Sequence, residues 1–190
     1  MSELDPTTIE SDKAHNKTGN KKRKFIACFI AIIIIGLLIP EQHIIPVQNA
    51  TNSDWNHKTF WYDPWGASGV HKGIDIFAKA DTPALGATSG VVMFSGHLKR
   101  GGVVIAILGP KWRVHYYAHL NSTNVYPGQI ISSGDVIGTV GDSGNAKGKQ
   151  PHLHYSILTL VPYIWRVDFD RQGWKKMFYL NPHKRLKDQG

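Results

Sequence analysis

The chain has 190 residues, which suffices for one domain or for one domain with a tail. Hydrophobic residues make up 42% and charged residues 19%, a composition typical of globular proteins rather than of disordered chains. The formal net charge of +8 favours anionic partners such as nucleic acid, anionic lipid or an acidic cell wall. The single cysteine, Cys28, excludes an internal disulfide and a cysteine-based zinc site, so His, Asp or Glu would have to hold any metal.

A basic cluster divides the N-terminal region. Residues 1–24 are polar, end in the cations of residues 21–24, and are predicted to be a disordered cytoplasmic tail. Residues 25–40 are predicted to form an apolar helix that is either a transmembrane anchor or a signal segment, with the anchor favoured. Because the cations precede the apolar run, we expect the rest of the chain outside the cytoplasm. It would be periplasmic and anchored in the inner membrane, or secreted if the segment is cleaved.

Residues 41–58 are predicted to be a linker, and residues 59–190 a folded domain. In the domain, short runs of β-branched and aromatic residues alternate with Gly, Pro, Asn and Ser, and no interval is long enough for a crossover helix. This pattern predicts an all-β domain with antiparallel sheets in a sandwich or open barrel. The candidate strands cover residues 73–78, 90–95, 103–108, 112–118, 136–140 and 153–160.

Two pairs of residues have the spacing of a metal or proton-transfer site. His71 and Asp75 lie four residues apart, and a turn at Gly73 can bring them together. His152 and His154 lie two apart in a candidate strand, so both imidazoles project from the same face. A catalytic zinc site typically has three protein ligands and an open position for water. His71, Asp75 and one histidine of the pair would meet that count.

The order of the motifs resembles the lysostaphin/LytM-type family of peptidoglycan metalloendopeptidases, over roughly residues 62–160. The family's H-x-x-x-D motif matches residues 71–75, its Y-x-H-L segment matches residues 117–120, and its H-L-H motif matches residues 152–154. The resemblance implies a groove floored by an antiparallel sheet, with a metal at its base. Tyr117, inside the second motif, is predicted to pack rather than to donate a hydrogen bond to an oxyanion.

The resemblance also implies a role for each matching residue. His71, Asp75 and His154 would ligate Zn²⁺. His152 would be the general base or proton shuttle, and His119 would help to stabilise the oxyanion and to orient water. The implied activity is hydrolysis of peptide cross-links or stem-peptide amides of bacterial peptidoglycan through a metal-activated water.

Two other functions compete with this prediction. A non-catalytic peptidoglycan-binding or hydrolase-activating module would use the same groove, but such relatives have typically lost metal ligands that are all present here. A nucleic-acid binder would suit the basic charge, yet the sequence has no recognised nucleic-acid motif. The predicted partners are therefore peptidoglycan peptides and, through residues 25–40, a membrane. The oligomeric state, the bond that is cut and the role of residues 161–176 stay open.

Overall fold

The structure of the chain is a computed structural model that describes residues 6–186, with side chains from residue 21 onward except at residue 67. The chain divides into two units, one ending at Ile39 and the other beginning at Pro40. Each unit is described separately below. The first is helical, and the second is built on β-structure.

The first unit contains helix α1, Pro6–Leu38. We expected residues 1–24 to be a disordered tail, whereas the described part of that tail is helical; its first five residues lie outside the described range. A helix, once nucleated, gains one hydrogen bond for each further residue, and proline is well tolerated at the first helical position. No helix within residues 6–186 is both long and apolar enough to cross a membrane, so the predicted anchor over residues 25–40 is not supported.

The second unit contains one connected antiparallel sheet of nine strands in the part of the chain that the structure describes. A short helix, α2, His183–Leu186, follows the last strand. The prediction of an antiparallel β-domain is confirmed. The strands are β1 (Ile74–Phe77), β2 (Pro83–Leu85), β3 (Gly90–Leu98), β4 (Gly102–Gly109), β5 (Arg113–Thr123), β6 (Ile130–Ile131), β7 (Val136–Val140), β8 (His152–Thr159) and β9 (Tyr179–Leu180).

Strand β5 is the centre of the sheet. The main path runs β1-β8-β5-β4-β3-β6, while β9 adds to β8 and β7 pairs with both β2 and β5. The first part of β5, as far as Ala118, pairs with β8, and its last part, from Leu120, pairs with β7. His119 lies at the change of partner and has a left-handed backbone with φ of 64°. Such irregularities re-aim a side chain out of the regular alternation.

The hydrophobic core lies against one face of this sheet and explains why the strands form where they do. In β1 buried residues alternate with more exposed ones, as expected for a strand with one face on a core. Strands β4 and β8 also contain consecutive buried residues. The largest fully buried side chains are Tyr117, Tyr155, Ile74, Ile76, Ile105, Ile107, Leu120, Ile131, Ile137, Leu153, Ile157 and Leu180.

Residues 41–58, which we predicted to be a linker, are part of the β-domain. Val47 and Trp55 are only 2% and 4% exposed and belong to the hydrophobic core. Val47 also forms an antiparallel bridge with Ala84 in β2. The linker prediction is wrong because only a few apolar side chains of this segment enter the core. The mixed polarity of its sequence therefore does not reveal that the segment is packed.

A buried ionic cluster holds the start of this segment. The carboxylate of Glu41 accepts hydrogen bonds from Arg113, from His43 Nε2 at 3.3 Å and from His115 Nε2 at 3.1 Å. The hydroxyl of Tyr155 lies 2.7 Å from His115 Nδ1 and can donate to it. Burial by itself raises the pKa of Glu41, but the bonds from His115 and His43 outweigh it and hold that pKa well below its usual range.

Replacing Glu41 with Ala is expected to lower the free energy of unfolding by about 3 kcal/mol, because it leaves Arg113 buried without a counter-charge. Urea denaturation measures this loss. The matched control is Asp63→Asn, which removes an exposed ion pair with Arg171 and should cost less than about 1 kcal/mol. Equal losses in the two variants would show that the Glu41 cluster does not hold the segment.

Candidate metal centre

Strand pairing brings three predicted ligands together. Asp75 in β1 is the register partner of His154 in β8, and His71 reaches the same point from the segment before β1. Asp75 Oδ1 lies 2.8 Å from His154 Nδ1 and 3.1 Å from His71 Nε2, and these two nitrogens are 3.1 Å apart. Gly73 permits this approach, since a Cβ there would collide with the carbonyl oxygen of Tyr155. Of the two histidines in the strand pair, His154 is the one that joins His71 and Asp75.

These donor atoms fit a zinc ion. Imidazole nitrogen and carboxylate oxygen are typical zinc ligands, and two ligands each about 2.0 Å from a tetrahedral ion lie roughly 3.3 Å apart. The observed separations of 2.8–3.1 Å are close to that value. All three donors can therefore reach one ion after small side-chain shifts.

One other group within the described residues could in principle hold a metal, namely Glu41, His43 and His115. There, however, the carboxylate oxygens already accept hydrogen bonds from both histidines and from Arg113. The adjacent guanidinium also opposes a second cation. We therefore interpret that group as a structural anchor rather than a metal site.

Three neighbours orient the two histidine ligands. His71 Nδ1 donates to the carbonyl of Thr59 at 3.1 Å, which leaves Nε2 without a proton and facing the site. The ring of Trp65 stacks on His71 with a centroid distance of 4.1 Å. His154 Nε2 lies 2.9 Å from Ser156 Oγ. None of these three neighbours is predicted from the sequence. The contact of Ser156 with His154 could have been inferred, because residues two apart in a strand share a face.

The electrostatics favour the protonation states that bind a metal. Burial by itself raises the pKa of Asp75, but the adjacent rings of His154 and His71 outweigh it and hold that pKa well below its usual range. Burial also lowers the pKa of His154, against the opposing effect of Asp75. At neutral pH the site therefore presents a carboxylate and a neutral imidazole, as metal ligation requires.

Two further histidines lie beside these ligands, with ring centroids 5.1 Å apart. His119 Nδ1 donates to the carbonyl of Ser143 at 2.9 Å, and His152 Nδ1 donates to the carbonyl of Gln150 at 2.8 Å. A carbonyl can only accept, so the proton that each ring donates is on Nδ1, and in the neutral form of either ring Nε2 is an acceptor. Burial, followed by the effects of His154 and His152, lowers the pKa of His119 to about 4.

All five histidine and aspartate side chains line one cleft of about 750 Å³. Tyr116 lines it as well, and burial raises the pKa of this phenol, which therefore remains a hydrogen-bond donor. Tyr117 points to the opposite face of β5, is fully buried, and accepts a hydrogen bond from the amide of Ala87. Its predicted packing role is confirmed, whereas the significance of Tyr116 was missed.

Residues 161–176, whose role the sequence left open, support one wall of the cleft. Trp61 Nε1 donates to the carbonyl of Arg171 at 3.3 Å, and Gln172 Nε2 donates to the carbonyl of Ser68 at 3.0 Å. These bonds hold the loop that carries Trp65, whose ring stacks on the ligand His71. The segment thus acts on the site through the wall, not by direct contact with the ligands.

Replacing Ser156 with Ala is expected to weaken zinc affinity at least about tenfold, because it removes the hydrogen bond that orients His154. Competition with a chromogenic chelator measures the affinity. Ser95→Ala is the matched control, since it removes a side-chain hydrogen bond to Thr123 in another part of the sheet. An unchanged affinity in Ser156→Ala would exclude this orienting role.

Known proteins resemble this chain in sequence and in fold. Residues 69–164, slightly more than half of the chain, match the sequence model of Peptidase family M23. The L-Ala–D-Glu endopeptidase of Bacillus subtilis (strain 168) is 38% identical over 125 residues, which cover 61% of this chain and 38% of that protein. The peptidoglycan DD-endopeptidase ShyC of Vibrio cholerae is 35% identical over 89 residues, covering 47% and 20%. The chain thus spans well under half the length of these two relatives.

Among solved structures, the catalytic domain of the antimicrobial peptidase lysostaphin from Staphylococcus simulans has the same fold. It superposes with a TM-score of 0.54 and 26% sequence identity, and the match covers 66% of this chain and 86% of that one. The chain therefore belongs to Peptidase family M23, as its three ordered motifs predict.

Proposed function

We propose that this protein is a zinc-dependent endopeptidase that hydrolyses peptide bonds of bacterial peptidoglycan. The observation that carries the proposal is the convergence of His71, Asp75 and His154 on one point of a cleft that also contains two proton-accepting histidines. Membership of family M23 supports it. So do the names of the two relatives, both endopeptidases, one of which is named for peptidoglycan.

We assign the metal to three atoms: His71 Nε2, Asp75 Oδ1 and His154 Nδ1. Peptidases of family M23 depend on zinc. Bound zinc polarises a carbonyl oxygen and lowers the pKa of a water molecule, which suits hydrolysis of an unactivated amide. Three protein ligands would leave one coordination position of a zinc ion for water.

We assign His152 as the general base. The bond from its Nδ1 to the carbonyl of Gln150 holds the ring in one tautomer, with the lone pair of Nε2 available. Nε2 takes a proton from the attacking water and returns it to the leaving amine. A fixed tautomer and a fixed ring plane remove the need to reorganise these groups during the reaction.

His119 is better suited to orienting water than to stabilising an oxyanion. Its Nδ1 donates to Ser143, and its low pKa keeps the ring neutral, so Nε2 accepts a hydrogen bond but has no proton to donate. The oxyanion role implied by the family resemblance therefore lacks a donor at this residue. We propose that the phenol of Tyr116, which lines the same cleft, donates that hydrogen bond instead.

We further propose that the domain acts in the cell envelope, outside the cytoplasm, where peptidoglycan lies. The cations at residues 21–24, which precede the apolar part of α1, support export of the domain that follows. This proposal does not require the chain itself to bind the membrane.

The metal assignment predicts that the purified full-length chain binds about one zinc ion, and that His71→Ala and Asp75→Ala abolish the binding. Each substitution removes one of only three protein donors. Elemental analysis by mass spectrometry measures the stoichiometry. His97→Ala, which replaces an exposed histidine outside the cleft, is the matched control and should retain zinc. Stoichiometric zinc in both ligand variants would rule out the assignment.

The catalytic assignment predicts that His152→Ala retains zinc but loses at least about 100-fold in its rate of hydrolysis of purified sacculi. Mass spectrometry of the released muropeptides, with and without a chelator, measures the activity and identifies the bond that is cut. His97→Ala again serves as the control. Activity of His152→Ala at the wild-type level would remove this residue from the mechanism, and chelator-resistant release would contradict the zinc-dependent function.

A further inference from the structure

The cleft that contains the metal centre is bordered by positive side chains from three separate loops. Lys72 follows the first ligand, Arg100 lies in the turn between β3 and β4, and Lys149 lies in the connection between β7 and β8. Of the described residues that line the cleft, Asp75 alone is acidic, and its carboxylate is already engaged by the two histidine ligands. Away from the metal ligands, the charged lining is therefore entirely cationic.

Lys72 is the best placed of these cations. Its ammonium donates to the carbonyls of Ser68 at 3.2 Å and Val70 at 3.4 Å, and the side chain is half-buried. An ammonium has three N–H donors, so one stays available after these two bonds. Neither carbonyl carries a formal charge, and no described carboxylate lies within ion-pair distance of Lys72. Its charge is held in place but not neutralised.

The position of Lys72 relates this charge to the reaction. Lys72 is adjacent to His71 in the chain, and consecutive Cα atoms are about 3.8 Å apart. Because both residues line the same cleft, we expect a ligand group that meets its ammonium to lie close to the bond at the metal centre. Cations around a concave site also attract anions from solution, and a partly desolvated charge interacts more strongly than an exposed one. A neutral peptide would gain nothing from either effect.

We propose that the cleft selects peptides with a free carboxylate close to the scissile bond, and that Lys72 binds this carboxylate. The proposal rests on the endopeptidase function proposed above and narrows its substrate class. Acidic stem peptides, in which side-chain or α-carboxyl groups remain free, fit the cleft. Neutral bridges of glycine or alanine have no side-chain carboxylate with which the positive charges of the cleft could interact. Arg100 and Lys149 extend the positive lining along the same substrate.

The test compares two forms of one substrate in a kinetic assay with the full-length, zinc-loaded chain. Soluble cross-linked muropeptides are used either with free carboxylates or after carbodiimide-mediated amidation with ammonia, which converts each carboxylate into a carboxamide of nearly equal size. We expect kcat/KM of the wild type to be about tenfold higher for the free form, because the amide cannot form a charge-assisted hydrogen bond.

The variant Lys72→Gln tests whether the preference for free carboxylates comes from this side chain. It should lose about tenfold in kcat/KM on the free form and stay within about twofold of wild type on the amidated form. Lys79→Gln, which replaces an exposed lysine outside the cleft lining, is the matched control and should keep the preference. Equal kcat/KM on both forms in the wild type would overturn the proposal. An equal loss on both forms in Lys72→Gln would overturn it too.

A failure of the proposed function gives a different result. If neither form is hydrolysed in a chelator-sensitive manner, the endopeptidase function is contradicted. The carboxylate site is then tested by measuring how tightly the chain binds each form. Binding of both forms is then followed by tryptophan fluorescence, since Trp65 lines the cleft. Tighter binding of the free form by the wild type but not by Lys72→Gln supports the site. Equal binding of the two forms overturns it.

Discussion

The antiparallel pairing of β1 with β8 is the constraint on which the site depends. It places Asp75 directly opposite His154, and a slip of one residue would turn one of these side chains to the other face of the sheet. The register is held by Ile74 and Ile76, which flank Asp75 and are completely buried. Gly73 then lets the chain cross β8 closely enough for the first histidine ligand to arrive from outside the sheet. Core packing and metal geometry thus depend on the same pair of strands.

Backbone carbonyls organise the chemistry around this pair of strands. His71, His119 and His152 each donate from Nδ1 to a carbonyl, so each presents an unprotonated Nε2 toward the cleft. His154 is reversed, with Nδ1 at the ligand cluster and Nε2 beside Ser156. The tautomers are therefore set before a substrate binds, which separates metal ligation from proton transfer among four neighbouring imidazoles.

The sequence predicts the six longer strands but not the short strands β2, β6 and β9. It also predicts the five histidine and aspartate side chains of the cleft, because alternation and motif spacing depend on side-chain type. It does not predict features that depend on the path of the backbone. The packing of residues 41–58 rests mainly on Val47 and Trp55, two buried side chains in a segment of mixed polarity. The carbonyl partners of the histidines carry no signature in residue type. Tyr116 and Tyr117 are distinguished only by the register of β5, which directs one to the cleft and the other to the core.

A single cation shared by His71, Asp75 and His154 is the feature from which the proposed chemistry follows, and its position can be measured directly. Anomalous diffraction at the zinc absorption edge, from crystals of the zinc-loaded chain, locates the ion independently of any assumed ligands. We expect one peak, at about 2.0–2.2 Å from His71 Nε2, Asp75 Oδ1 and His154 Nδ1. A strongest peak at the buried cluster around Glu41, or no peak between these three atoms, would contradict the assignment.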